Sequence, residues 1–313
     1  MRSHKKNNVL VTVADHKRLD QAKQLFINIK HNSFWNGDRL LLTTTTTIPS
    51  DIQWFKKNGI KVVMYPLILK KIGISKGIFS LKLSLFRIYM KKWKNVVYLD
   101  TDVIVRHPLD QLSNKIGFWA APELVNKAII FQFLLKDKKS WLLLRSLLKE
   151  IGINFKPTNE AFNAGVLAFS TSIIKNGLYQ TLQKLLIKYS DICCFGDQTI
   201  LNICFYNKWT KLPRIYNYHP LKSMKFCLPN NKDKKAIIMH FAGEFPHSRP
   251  WDKKNPYYNM WKNGLLDNGT NSQIKSSYFP YTLEEIFYKI IYFPRLAYKV
   301  IKYHTYKLQS NNH

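Results

Sequence analysis

Asp100-Thr101-Asp102 is the pair of carboxylates in this chain best placed to do chemistry. Two acidic residues two apart at a strand end project to the same side. They repel each other unless a cation sits between them. All-oxygen ligation favours a hard ion, Mn²⁺ or Mg²⁺. An ion held there could bridge the phosphates of a nucleoside diphosphate and neutralise it as it leaves. Alone, the three-residue pattern is common. Its setting adds weight: the apolar run Val96-Val97-Tyr98-Leu99 precedes it and Val103-Ile104-Val105 follows.

The elements that must position this pair are legible upstream. Val9-Leu10-Val11-Thr12-Val13-Ala14 is a short, β-branched, nearly continuous apolar run, which predicts a buried parallel strand. Ala22, Leu25, Phe26 and Ile29 then recur at helical spacing. Leu40–Thr43 predicts a second strand, Ile60–Met64 a third after a short helix around Trp54, and Val96–Leu99 a fourth after a helix over Leu81–Met90. Strand alternating with helix is the pattern of an open α/β sheet, whose ligands sit at the carboxyl ends of the strands. Asp100 and Asp102 fall at one such end. Further on, the pattern predicts strands at Ile116–Ala121, Ala164–Phe169 and Ala236–Met239. It predicts helices over 126–150, 172–189 and Gln198–Tyr206. No domain boundary is visible before about residue 265.

Bulk composition narrows the classes. The chain has 313 residues, 46% of them hydrophobic, which excludes disorder and allows a sizeable core. The formal net charge of +30 predicts attraction to polyanions, whether nucleic acid, acidic headgroups or phosphorylated ligands. The excess is mostly lysine, whereas guanine edges are read chiefly by arginine. Cys193, Cys194, Cys204 and Cys227 form no CxxC pair, so reduced thiols are expected. The polar N-terminus lacks a signal-peptide apolar region, and no uncharged run reaches the ~20 residues of a membrane span. The Asn268-Gly269-Thr270 sequon is therefore read as accidental.

The tail differs from the rest. From Tyr278 to Leu308, aromatic residues alternate with Lys289, Arg295, Lys299, Lys302 and Lys307. Broken by Pro280 and Pro294, it predicts one or two short amphipathic helices suited to an anionic membrane interface.

Four ordered blocks resemble glycosyltransferase family 8. Tyr98–Leu112 resembles its DxD block, and Phe162-Asn163-Ala164-Gly165-Val166 its FN(S/A)G motif. Gly196–Asn202 resembles GDQxxLN. His240-Phe241-Ala242-Gly243, followed by Arg249-Pro250-Trp251, resembles the HFxG…KPW segment. The resemblance covers about residues 8–252. It implies an α/β fold: a single GT-A, Rossmann-like, nucleotide-sugar-binding domain over 1–265 with a mixed, mostly parallel sheet. A basic aromatic tail of membrane-interface helices, 266–313, would follow.

The resemblance also implies roles. Asp100, Asp102 and His240 would ligate Mn²⁺ (or Mg²⁺). Val13, Ala14 and Asp15 would hold the uridine, and Lys82 would lie near the donor diphosphate and sugar. Thr101, Asn163, Ala164, Gly243 and Arg249 complete the implied nucleotide-sugar site, with His247 a further phosphate contact. Asp197 and Gln198 would sit beside the anomeric carbon. The family retains anomeric configuration. With an amide near that carbon rather than a carboxylate nucleophile, same-face displacement is implied, with Asp197 orienting the sugar hydroxyls. One departure stands out. Glu244–Ser248 lengthens the loop before Arg249, and Arg replaces the family's Lys; Arg can still bind phosphate, and bidentately.

The expected function is thus a retaining hexosyltransferase that uses a UDP-sugar and a glycan or lipid-linked acceptor. It would be cytoplasmic and peripheral on the inner face of a membrane. The competing reading is a catalytically silent, transferase-like protein that binds polyanions such as nucleic acid. No RNA-binding signature supports it, and the intact motif residues oppose it.

Overall fold

The computed structural model describes residues 6–66, 80–124, 127–220, 235–242, 248–263 and 281–308. Four runs read as strands build one side of a sheet: β1 (Lys6–Val13), β2 (Asp38–Thr44), β3 (Lys61–Tyr65) and β4 (Trp93–Leu99). They pair in parallel, in the order β3-β2-β1-β4. Helices α1 (Leu19–Asn32) and α2 (Pro49–Lys57) connect them. α1 turns Leu19, Ala22, Leu25, Phe26 and Ile29 inward at three- and four-residue spacing, as the sequence predicts.

Beyond β4 the sheet changes direction. β7 (Phe162–Ser170) lies antiparallel to it, and β6 (Phe118–Pro122) and β8 (Trp209–Lys211) complete a sheet of seven strands. The sheet is mixed and mostly parallel, the GT-A-like α/β fold that was expected. β5 (Val103–Val105) and β9 (Ile238–His240) form a separate antiparallel pair. β7 is buried along nearly its whole length and β4 from Val96 onward. This explains why they read as unbroken apolar runs rather than alternating ones.

Three expected helices differ from the observed elements. Leu81–Met90 begins as a single helical turn and continues as two 3₁₀ segments, broken where Arg87 is extended (φ −73°, ψ 149°). Leu83 to Phe86 are all buried, so no single helical face exists. Arg87 is gripped between the rings of Tyr65 and Tyr179, 4.1 and 3.7 Å from their centroids. The helix expected over 126–150 starts only at α3 (Lys138–Ile151). Asp137 accepts from the Ser140 backbone N–H at 2.8 Å while the Asp137 N–H donates back to the Ser140 hydroxyl, a reciprocal cap that sets the start. The helix expected over 172–189 is α4 (Leu178–Tyr189); Gly177 just before it has φ +81°. The next helix, α5 (Asp197–Cys204), lies where it was expected, and α6 (Tyr258–Asn263) is a short addition.

The chain divides into two compact units. The first comprises Met1–Ala121, Ala164–Tyr179 and Lys208–Ser277; the second comprises Pro122–Asn163, Gln180–Asn207 and Tyr278–His313. Within the second lies the tail helix, α7 (Tyr281–Leu308), which runs through Pro294 as one helix rather than breaking there. Pro280 lies outside the described residues. Tertiary contacts hold the helix on either side of Pro294. The Tyr292 hydroxyl accepts from the Ala128 N–H at 3.1 Å, Tyr306 stacks on Trp141 at 5.4 Å, and Lys299 donates to the carbonyls of Phe133 (3.0 Å) and Ile130 (3.4 Å).

Lys299 is a basic residue of the tail turned inward. Burial pushes its ammonium down from the ordinary 10.5 to about 8, with Cys194 opposing and Arg295 adding to the shift. Between those values the unfolded chain holds the proton and the folded chain does not, so stability rises with pH across that window. Lys299→Met should abolish this contribution. The melting temperature of the parent should therefore gain on that of the variant as pH rises from 8 to 10.5, as read by circular dichroism.

Candidate functional site

β4 delivers Asp100 at its carboxyl end, and the chain turns once before β5. Because β5 pairs with β9, Val103 lies opposite His240, and a histidine far along the sequence arrives beside the acidic pair. Nε2 of His240 is 3.3 Å from Asp102 Oδ1 and 3.9 Å from Asp100 Oδ2. Ligand atoms of the three residues lie within 4.8 Å of one another. Backbone bonds fix the frame: Asp100 N–H donates to the Gly165 carbonyl and Phe241 N–H to the Asp102 carbonyl, both at 2.9 Å. Two carboxylates and one imidazole fit a divalent cation of the Mn²⁺ or Mg²⁺ kind.

Two protein cations face the carboxylates. Lys82 Nζ lies 2.9 Å from Asp100 Oδ1 and also donates to the Ala164 carbonyl at 3.3 Å. Tyr98 donates its hydroxyl to Asp100 as well. Arg249 pairs with Asp102 Oδ2 and donates to the Phe241 carbonyl at 3.2 Å. Burial opposes ionisation of Asp102, but His240 and Arg249 outweigh it and hold this carboxyl well below the usual carboxylate range. Asp102 is therefore an anion at neutral pH. Gly243 and His247 lie outside the described residues. Arg249 reaches Asp102 in spite of the longer loop.

Two residues that place His240 were not singled out in the sequence. A Cβ added at Gly165 would lie 2.1 Å from His240 Cε1 and 2.6 Å from Nδ1, so only glycine lets the ring lie against β7. Asn217, itself buried, holds its Oδ1 2.8 Å from His240 Nδ1. An amide oxygen there accepts from Nδ1–H and so orients the ring with Nε2 towards the carboxylates. Gly165 lay within a quoted motif, read there for its asparagine. Asn217 carried no signal at all.

The uridine residues expected from the sequence, Val13, Ala14 and Asp15, close β1, the parallel neighbour of β4. Ala14 N–H donates to Leu42 O at 3.0 Å, and the Thr12 hydroxyl to Leu99 O at 2.8 Å. Thr101 is buried in the turn after Asp100.

Asn163, Asp197 and Gln198 belong to a cluster in the second unit. Gly196, with φ 53° and ψ −117°, turns the chain into α5 in a conformation that suits only glycine. Asp197 and Gln198 occupy the first turn, both buried. Asn202 on the same helix accepts from Phe162 N–H at 2.8 Å and donates to the Phe162 and Gln198 carbonyls, each at 2.9 Å. One side chain thus ties the Gly196–Asn202 block to the Phe162–Val166 block. Gln198 Nε2 donates to Glu123 Oε2 at 3.1 Å and to Gln132 Oε1 at 3.2 Å, and Asn163 Nδ2 donates to Glu123 Oε2 at 3.3 Å. Sequence reasoning missed Glu123 and Gln132. The first follows a strand end and the second fell within the overextended helix, with no motif to mark either.

Comparison with known proteins agrees with this fold. Residues 42–255 match the model of the family described as Glycosyl transferase family 8. Glycosyltransferase GlyF of Streptococcus pneumoniae is 25% identical over 220 residues, covering 65% of this chain and 48% of GlyF. Galactosyltransferase LgtC, solved with donor and acceptor sugar analogs, superposes with TM-score 0.57 at 16% identity, covering 88% of this chain and 99% of LgtC. The bifunctional glycosyltransferase WbbM superposes with TM-score 0.60 at 17% identity, covering 85% of this chain and 51% of that chain. The chain thus spans about half the length of GlyF and of the WbbM chain, and nearly all of LgtC.

The seat of His240 can be tested without turnover. Gly165→Ala should displace the ring, and Asn217→Leu should remove its orienting acceptor. Each should weaken Mn²⁺ binding by about 10–100-fold, measured by titration with electron paramagnetic resonance detection. Unchanged affinity in both folded variants would remove His240 from the ligand set.

Proposed function

Because the chain belongs to glycosyltransferase family 8, we propose that it is a retaining hexosyltransferase with a UDP-sugar donor and a glycan or lipid-linked saccharide acceptor. The observation that carries this reading is the convergence of Asp100, Asp102 and His240, flanked by Lys82 and Arg249. In this reading those three residues would hold Mn²⁺ or Mg²⁺. A divalent ion there supplies charge neutralisation for a departing diphosphate. Lys82 and Arg249 are within reach to exchange a carboxylate partner for phosphate oxygens, Arg249 bidentately. The carboxyl end of β1, Val13–Asp15, takes the uridine. Ala164 and Thr101 line the donor.

Asn163 and Asp197 hold the sugar's hydroxyls, and Gln198 faces its anomeric carbon. An amide is a poor covalent nucleophile. The acceptor hydroxyl therefore attacks from the face the diphosphate leaves. Its oxygen bonds to the anomeric carbon as the bond to phosphate oxygen breaks, and its proton passes to that departing oxygen. Configuration is retained, and the protein contributes positioning and electrostatic stabilisation.

The same proposal extends to the tail. Among the described residues no helix is long and apolar enough to cross a membrane. While Tyr292, Lys299, Tyr303 and Tyr306 of α7 pack inward, Phe293, Tyr298 and Ile301 are 58, 61 and 64% exposed, with Arg295 also exposed. An apolar stripe with a basic residue suits an anionic surface, on the inner face of a membrane. Phe293→Ser with Ile301→Ser should reduce flotation with phosphatidylserine-containing liposomes while the melting temperature holds. Equal flotation would remove the tail from membrane binding.

The donor is tested by incubating the chain with a panel of UDP-sugars and Mn²⁺ and measuring UDP release. One sugar should support Mn²⁺-dependent release, lost in Asp102→Ala. Asp197→Ala and Gln198→Ala should each lower kcat by at least about 100-fold with UDP still bound. Turnover intact in both would sink the assigned reaction centre. UDP release with no sugar, alongside salt-sensitive binding of nucleic acid, would favour the silent polyanion-binding alternative.

A further inference from the structure

Glu123 is a buried carboxylate, 8% exposed, that the function proposed above does not use. A buried charge is tolerated only when hydrogen bonds compensate it. Here three donors do so. Oε1 accepts from the backbone N–H of Leu124 at 2.8 Å. Oε2 accepts from Gln198 Nε2 at 3.1 Å and from Asn163 Nδ2 at 3.3 Å. The backbone is clamped as well, since Glu123 N–H donates to the Ala161 carbonyl at 2.8 Å, two residues before Asn163.

We propose that Glu123 is a positioning residue whose carboxylate fixes the orientation of the side-chain amides of Gln198 and Asn163. The proposal rests on the reading that those two amides serve the donor sugar. A side-chain amide has a donor end and an acceptor end of nearly the same shape, and packing alone does not choose between them. An ionised carboxylate does choose, because it only accepts. Both amides must turn their nitrogens to Glu123. The second Gln198 hydrogen is directed to Gln132 Oε1 at 3.2 Å. The oxygen ends of both amides then face away from Glu123. At Gln198 this presents the negative end of the amide dipole, the end that stabilises positive charge growing on an anomeric carbon. At Asn163 it presents an acceptor for a sugar hydroxyl.

Other buried carboxylates near sugar chemistry serve as nucleophiles, and the test separates that role from this one. Three variants are compared with the parent: Glu123→Gln, Glu123→Asp and Gln198→Ala. The protein is labelled with ¹⁵N-glutamine, and the Gln198 side-chain resonances are those lost in Gln198→Ala. In Glu123→Gln the residue at 123 can itself donate, so the Gln198 side-chain ¹⁵N and ¹H shifts should move. In Glu123→Asp, which only accepts, they should stay near those of the parent. This readout needs no turnover, so it stands even if no UDP-sugar proves to be a substrate. With an active donor, Glu123→Gln should lower kcat by about 10–100-fold at unchanged Mn²⁺ and UDP affinity, and Glu123→Asp should recover most of it. Unmoved resonances in Glu123→Gln would overturn the proposal. So would a covalent sugar adduct on Glu123 seen by mass spectrometry.

Discussion

The repulsion between Asp100 and Asp102 organises the first unit. Two carboxylates held near each other and partly shielded from water cost energy unless positive charge comes close. The fold supplies that charge through Lys82, in the segment between β3 and β4, and Arg249, beyond β9, while His240 brings an imidazole beside the pair on β9. Strand pairing carries the constraint, because His240 reaches the site only if β9 pairs with β5 in the observed register. The bare glycine surface of β7 and the amide of Asn217 then fix the ring. A short motif at a strand end thus depends on contacts made by residues far along the chain.

The second unit solves a different problem with the same economy. At its centre the Glu123 carboxylate faces the amides of Gln198 and Asn163, so hydrogen-bond direction decides how those side chains are arranged. Low local polarity makes each such bond more consequential than it would be in water. This explains why a buried Glu, a liability in most cores, sits at the centre of the group.

The parallel half of the fold was legible in the sequence because β1, β2 and β4 are buried on both faces and carry unbroken apolar runs. The acidic pair and His240, which lie together in the structure, were legible because motifs marked them. Elsewhere, tertiary contacts overrode local pattern. The run Leu81, Leu83 and Leu85 is apolar at alternate positions, and its segment buries all round instead of presenting a helical stripe. Helix α3 began late because Asp137 and Ser140 cap one another, a signal shorter than the apolar run around it. Pro294 was read as a break, yet α7 packs through it. Asn217 and Glu123 were silent because their roles exist only through partners distant in sequence.

Asn202 has a consequence for how such sequences can drift. Its side chain clasps both backbone groups of Phe162 and the carbonyl of Gln198. Outside β7 and α4, the loops between the two blocks can therefore lengthen or shorten, and the blocks still meet. The clasp itself tolerates little, since only a carboxamide of that length offers an acceptor and a donor side by side. In remote relatives, gaps should accumulate between the blocks while this pairing stays fixed, which makes the pair Phe162 and Asn202 a better anchor for aligning them than the spacing of the motifs.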